Sequence, residues 1–187
     1  PPPRCGRRGV GGLAAAVAVL AGAAPEAVAS ALARFGGVAR RFEHRGQAAG
    51  VVLVDDYAHL PTEVGAVLAT ARSGGFTRVV AVFQPHRFSR TEALWSSFGG
   101  AFDDADVLYV TDVYPSGEAP RPGVSGRLVA DAVLRDRPGA DVRYVARRED
   151  LLDALVGELR DGDLCLTMGA GDLTAVPDQL RARLGAS

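Results

Sequence analysis

Residues 78–91 read Arg-Val-Val-Ala-Val-Phe-Gln-Pro-His-Arg-Phe-Ser-Arg-Thr. Val79 to Phe83 form an unbroken apolar run rather than an alternating one, which predicts a strand covered on both faces. Such strands belong to parallel sheets flanked by helices. Outward from this stretch, strand-like runs alternate with helical ones: VVLVDD (51–56), TEVGAVLATAR (62–72), TEALWSSFGGAF (91–102), VLYVTD (107–112), SGRLVADAVL (125–134), VRYVA (142–146), REDLLDALVGELR (148–160) and DLCLTMG (163–169). The alternation predicts an α/β fold, a Rossmann-like and mostly parallel sheet with helices on both faces. Ligands of such sheets sit beyond the carboxyl ends of the strands, so the loops that follow strands are the places to search.

Upstream, the Ala-rich segment from Leu13 to Phe35 predicts two short helices, the second opened by Pro25 and stopped by Gly36 and Gly37. A domain boundary is placed near Val38, dividing residues 1–37 from 38–187. RRFEHRG and VVLVDD read as two strands joined by a polar turn at Gly46 and Gln47.

The chain carries 21 basic and 22 acidic residues, a balance that offers no overall field for nucleic acid or an anionic membrane. Anion recognition must therefore be local. Every basic residue is an arginine, so no lysine serves a phosphate loop or a Schiff base. Cys5 and Cys165 make neither a metal-site spacing nor a secreted disulfide framework, and a reducing cytoplasm fits them best. Arg4, Arg7 and Arg8 ahead of LAAAVAVLAGAA imitate an export signal, but that run is too short to span a bilayer and continues into a second helical pattern.

Four strand-end loops concentrate the reactive side chains. DYAHLPTE brings Asp56, Tyr57 and His59 to a helix start, where free amides and the helix dipole favour an anion; the blander reading has Thr62 capping that helix. QPHRFSRT puts His86, Arg87 and Arg90 directly behind a strand, and two guanidiniums suit a diphosphate or carboxylate. DVYPSGEAPRPGVSG is long and stiffened by prolines, with Ser125 read as a helix cap. MGAGD reads as a tight turn, since the third glycine of a dinucleotide fingerprint would fall at Thr174. No hydrolytic triad and no dedicated metal site emerges, because His44, His59 and His86 lie in separate segments.

RRFEHRG, DDYAHLPTE, FQPHRFSRT, TDVYPSGEAPRPGVSG and TMGAGD, in this order and spacing, resemble the C-terminal domain of the muramate–alanine ligase branch of the Mur ligase family, from about Val38 to the chain end. The resemblance implies an ATP-dependent ligase in which the carboxylate of UDP-N-acetylmuramate is activated as an acyl phosphate and taken by L-alanine, with Mg²⁺ held mainly by a central domain. It implies that residues 1–37 are a remnant of that central domain, and that the N-terminal and central domains are the missing partners. Arg41, Asp56 and Tyr57 match positions that contact adenosine, His59 one near the phosphates, and His86, Arg87 and Arg90 the cluster facing the muramoyl group and the amino acid.

Three departures accompany the resemblance: Leu60 stands where the family usually has a second histidine; the stretch from Pro1 lacks the family's His and adenine-binding Asn; and no G-x-x-x-x-G-K-[ST] is present. Competing expectations are the murein tripeptide recycling ligase and a non-catalytic nucleotide-binding module. The purified 187-residue chain, incubated with ATP, Mg²⁺, UDP-N-acetylmuramate and L-alanine, is expected to form no UDP-muramoyl-alanine, because holding a phosphoryl group in line requires a phosphate loop and its lysine. Product chromatography checks this.

Overall fold

The computed structural model describes residues 8–35 and 38–186, with backbone alone for 8–13. Arg4, Cys5, Arg7 and the Gly36–Gly37 helix stop lie outside the described residues. Helices α1 (Arg8–Leu20) and α2 (Pro25–Arg34) precede β1 (Glu43–Ala48), β2 (Val51–Asp56), α3 (Pro61–Arg72), β3 (Arg78–Phe83), α4 (Phe88–Leu94), β4 (Val107–Val110), α5 (Arg127–Asp136), β5 (Val142–Tyr144), α6 (Arg148–Glu158), β6 (Asp163–Met168) and α7 (Val176–Leu184). The strands form one sheet in the order β1-β2-β6-β3-β4-β5. Strand β1 is antiparallel to β2, and every other neighbouring pair is parallel. The mixed α/β architecture expected from the sequence is therefore present.

Alternation along β3 divides the core. Val79, Ala81 and Phe83 face one layer, where they meet Val64 and Leu68 of α3 and Val129 and Val133 of α5. Val80 and Val82 face the other, against Leu151 and Leu155 of α6 and Val176 and Leu180 of α7. Both faces of β3 are dry, which is why its sequence shows no alternation. Because the parallel strands all point one way, the loops after β2, β3, β4 and β6 share one edge of the sheet.

Two local expectations are corrected. Strand β1 runs through Gly46 and Gln47; the chain turns instead at Ala49 and Gly50, with φ of 48° and 76°. Two left-handed residues make the mirror-image turn whose twist matches a hairpin, and Gly46 sits where the register shifts after His44. Helix α4 starts at Phe88, so Arg90 is helical, not a loop residue. Helix α7 follows the MGAGD turn, and its Val176, Leu180 and Leu184 recur at helical spacing and are buried.

Helices α1 and α2 form a hairpin, and no residue of α2 is buried. Val17, Val19, Leu20 and Phe35 remain exposed. Among the described residues no helix is long and apolar enough to cross a membrane.

Gly126 precedes α5 with φ of −61°, a conformation alanine accepts, yet an added Cβ would lie 1.9 Å from the Thr111 carbonyl oxygen. That oxygen belongs to backbone at the end of β4 and cannot swing aside. Gly126→Ala is expected to cost roughly 1–3 kcal/mol. Gly157→Ala in α6, where the Cβ meets nothing within 4 Å, is expected to stabilise by about 0.5–1 kcal/mol. Urea midpoints measure both.

Candidate functional site

The strand-end edge is organised around two adjacent aspartates. Asp55 is fully buried and accepts hydrogen bonds from Thr167 Oγ1 at 2.8 Å, Thr174 Oγ1 at 2.8 Å and Arg40 Nε at 3.1 Å. Arg40 also donates to the Gly169 carbonyl at 2.5 Å, so one guanidinium ties the segment before β1 to β2 and to the turn after β6. Asp56 points the other way and accepts the N–H groups of Phe42 and Ala58, each at 2.7 Å. Burial pushes the Asp56 pKa up, while those two N–H groups and the Arg41 charge oppose the rise.

From Asp56 the chain lifts Tyr57 into solvent, 36% exposed. The Arg40 guanidinium lies 4.9 Å from its ring centroid and that of Arg41 5.8 Å, so the ring is a cation-backed aromatic platform. Arg41, Asp56 and Tyr57 are thus gathered as expected. Arg40, the tighter contact, was passed over in the sequence; adjacent arginines are indistinguishable there, and its φ of 56° leaves no sequence signal.

A row of rings continues along the edge. Tyr57 and His59 meet edge-on at 5.4 Å, His59 and His86 at 5.9 Å, and His86 stacks on Tyr114 at 5.7 Å. Two histidines from separate segments therefore lie ring to ring at this edge, while His44 lies apart on β1. Their tautomers differ. Arg90 Nη1 lies 3.1 Å from His86 Nδ1, and a guanidinium only donates, so Nδ1 accepts and the ring proton sits on Nε2. His59 Nδ1 lies 2.9 Å from the Tyr57 carbonyl oxygen, which only accepts, so here Nδ1 carries the proton. Desolvation, then the charges of Arg90, His59 and Arg87, holds the His86 pKa below the usual histidine value.

Arg90 joins His86 as expected, but Arg87 is set differently. It stands at the start of α4 with φ of 70°, gives its N–H to the Tyr114 carbonyl at 2.8 Å, and leaves its side chain exposed. Glu118 clamps the long third loop onto α4, accepting Ser89 N at 2.8 Å and Ser89 Oγ at 2.6 Å. These bonds hold its carboxyl below the usual range. At the fourth loop, Gln84 Nε2 donates to Asp172 at 2.9 Å, and a Cβ on Gly171 would fall 2.4 Å from Gln84 Oε1 and 2.5 Å from Tyr114 Cγ. Glycine is needed there for space. The capping reading fails for Thr62 and holds for Ser125: Leu60 is the cap of α3, with Glu63 accepting its N–H at 3.3 Å, whereas Ser125 Oγ accepts the Arg127 N–H at 3.3 Å where α5 begins.

Residues 40–171 match the profile of the family described as Mur ligase, glutamate ligase domain. UDP-N-acetylmuramate–L-alanine ligases from Nitratidesulfovibrio vulgaris and Kineococcus radiotolerans are 51% and 54% identical over 161 and 160 residues, covering 86% and 85% of this chain but 35% and 34% of theirs. The chain thus spans about a third of the length of these relatives. The crystal structure of the Thermotoga maritima UDP-N-acetylmuramate–alanine ligase superposes with a TM-score of 0.72 at 28% identity, over 90% of this chain and 35% of that one. A murein peptide ligase from Psychrobacter arcticus shares the fold, with a TM-score of 0.69 at 21% identity over 93% of this chain and 36% of that one.

Because His86 is held neutral in the fold, its contribution to stability is complete above the unfolded value of about 6.5 and is lost as pH falls through the lower folded one. Arg90→Gln removes the nearest opposing charge and is expected to raise the His86 pKa and flatten that loss. NMR titration of the imidazole and urea unfolding between pH 7 and pH 5 follow the two effects.

Proposed function

The chain belongs to the Mur ligase family, and from that premise we propose that residues 38–187 work as the C-terminal domain of the ATP-dependent ligase that joins L-alanine to UDP-N-acetylmuramate, with residues 1–37 a remnant of its central domain. The observation that carries this reading is that the family match contains Arg40, Arg41, Asp56, Tyr57, His59, His86, Arg87 and Arg90 at the strand-end edge. The level of identity to relatives bearing the alanine-ligase name favours alanine over a tripeptide.

In this reading the exposed Tyr57 ring, with Arg41 beside it and Asp56 behind, receives the adenosine of ATP: an aromatic face stacks on a base, and a buried carboxylate fixes the loop that presents it. His59 stands next in the row, on the side of the phosphates. His86, Arg90 and Arg87 form the anion-binding end, where a neutral Nε2–H and two guanidiniums meet the muramoyl carboxylate and the incoming amino acid. The muramoyl carboxylate takes the terminal phosphoryl group, and the amine then attacks the acyl phosphate. Charge stabilisation and positioning are what this chain supplies to both steps. Among the described residues no group of three or more His, Cys, Asp or Glu is placed to hold a metal ion, so no ligand to Mg²⁺ is assigned to them.

A hybrid tests the proposal: residues 38–187 replace the matching third of the Nitratidesulfovibrio vulgaris relative, and UDP-muramoyl-alanine is measured. Product is expected. Arg87→Ala should lower kcat/KM by about 10–100-fold, the worth of one hydrogen bond to a charged group. Arg135→Ala, on the exposed face of α5 and paired with Asp136, should stay near the parent value. A folded hybrid without product, or equal effects of the two substitutions, contradicts the assignment.

A further inference from the structure

The two imidazoles of the cleft are wired in opposite senses, and the difference has a chemical use. His59 Nδ1 is committed twice, to the Tyr57 carbonyl oxygen at 2.9 Å and toward Glu63 Oε2 at 3.5 Å. Glu63 is itself anchored, accepting the N–H groups of His59 at 3.1 Å and Leu60 at 3.3 Å, and these bonds help hold its carboxyl below the usual range against its partial burial. In the neutral ring, Nε2 is then a bare lone pair, and among the described residues no hydrogen bond reaches it. The ring itself is pinned between Tyr57 and His86. A base whose far nitrogen is fixed by an acceptor and a carboxylate has the arrangement that orients an imidazole for proton abstraction. The histidine facing it has its proton on Nε2 and is a donor.

We propose that His59 is the general base of the amide-forming step, accepting through Nε2 a proton from the incoming amino group, with Glu63 as the residue that positions it. This rests on the ligase reading above and adds a role to a residue assigned there only by its place beside the phosphates. The protonated amino acid loses two protons overall. One passes to His59 Nε2 and on to solvent, exposing the nitrogen lone pair. That pair forms the C–N bond at the acyl carbon while the carbonyl π pair moves to oxygen. The tetrahedral intermediate collapses, the C–O bonding pair leaves with inorganic phosphate, and the second proton departs on that phosphate. His86 Nε2–H and Arg90 face the oxygen that gains charge, so donor and acceptor occupy opposite ends of the reacting centre.

Two experiments decide it. Long-range ¹H–¹⁵N spectra of the imidazoles in the 187-residue chain at neutral pH are expected to show His59 protonated at Nδ1 alone and His86 at Nε2 alone; a His59 ring carrying its proton on Nε2 overturns the proposal. Glu63→Gln leaves the Tyr57 carbonyl and its hold on Nδ1–H in place but removes the carboxylate; in the hybrid ligase it is expected to slow alanine ligation more than hydroxamate formation from hydroxylamine, and equal effects remove Glu63 from the positioning role. In the hybrid ligase, His59→Asn keeps a donor for the Tyr57 carbonyl but has no basic nitrogen. Ligation of L-alanine should fall about 100-fold or more. Hydroxylamine, which is unprotonated at neutral pH, should be converted to the hydroxamate with a loss at least tenfold smaller than that of alanine ligation. Loss of both products together would place His59 in phosphoryl transfer or folding, and loss of neither would leave it without a role. A parent hybrid that makes hydroxamate but no alanine adduct would instead contradict the alanine-ligase reading and leave the base assignment to the tautomer spectra.

Discussion

Asp55 is a carboxylate with no access to water, and an ionised group in that position must be matched or the strand that carries it cannot stay where it is. Its partners come from separate parts of the chain: Thr167 from β6, Thr174 from the turn after it, and Arg40 from the approach to β1. Satisfying one side chain therefore fixes the edge of the sheet on which the cleft is built. Arg40 carries the constraint outward, since the guanidinium that neutralises Asp55 is also the one beneath the Tyr57 ring. The polar interior of this edge and the exposed aromatic platform are two faces of one arrangement.

Along the same edge, local conformations depart from the ordinary where side chains have to be aimed. Arg40, Phe42 and Arg87 all have positive φ without being glycine. A non-glycine residue held there costs on the order of 1–3 kcal/mol, and it persists when its surroundings over-determine it. At Arg87 the surroundings are visible: its N–H is given to Tyr114, and its carbonyl accepts both the N–H and the hydroxyl of Thr91. Strain, clamp and charge occur at one residue, which fits a position retained for its guanidinium despite its backbone.

The alternation of apolar runs made the α/β architecture legible, because a strand dry on both faces writes itself as VVAVF and an outer helix does not. The loops were legible for the same reason: polar residues crowd immediately after strands whose ends are buried. What remained hidden were relations between distant segments. Nothing in the sequence pairs Glu118 with Ser89 or sets His59 beside His86, and the turn at Ala49–Gly50 looks less turn-like than Gly46–Gln47 until the register is known. The part played by Arg40 next to Arg41 stayed hidden as well, since two adjacent arginines read alike until a backbone with positive φ shows which partners each one meets.

The position of β6 has a consequence for how the molecule is made. It is the last strand in the chain and yet lies between β2 and β3, each of which it pairs in parallel. Until residues 163–168 have been synthesised, β2 and β3 have no common neighbour, and the β1–β2 hairpin stays apart from the β3–β4–β5 half. Pairings so distant in sequence close slowly and late. A ribosome-bound intermediate would hold two partial sheets with apolar edges facing an empty slot, a state open to wrong pairing and to chaperones. Assembly of the cleft waits for the same event, since its two halves meet only when the central strand arrives.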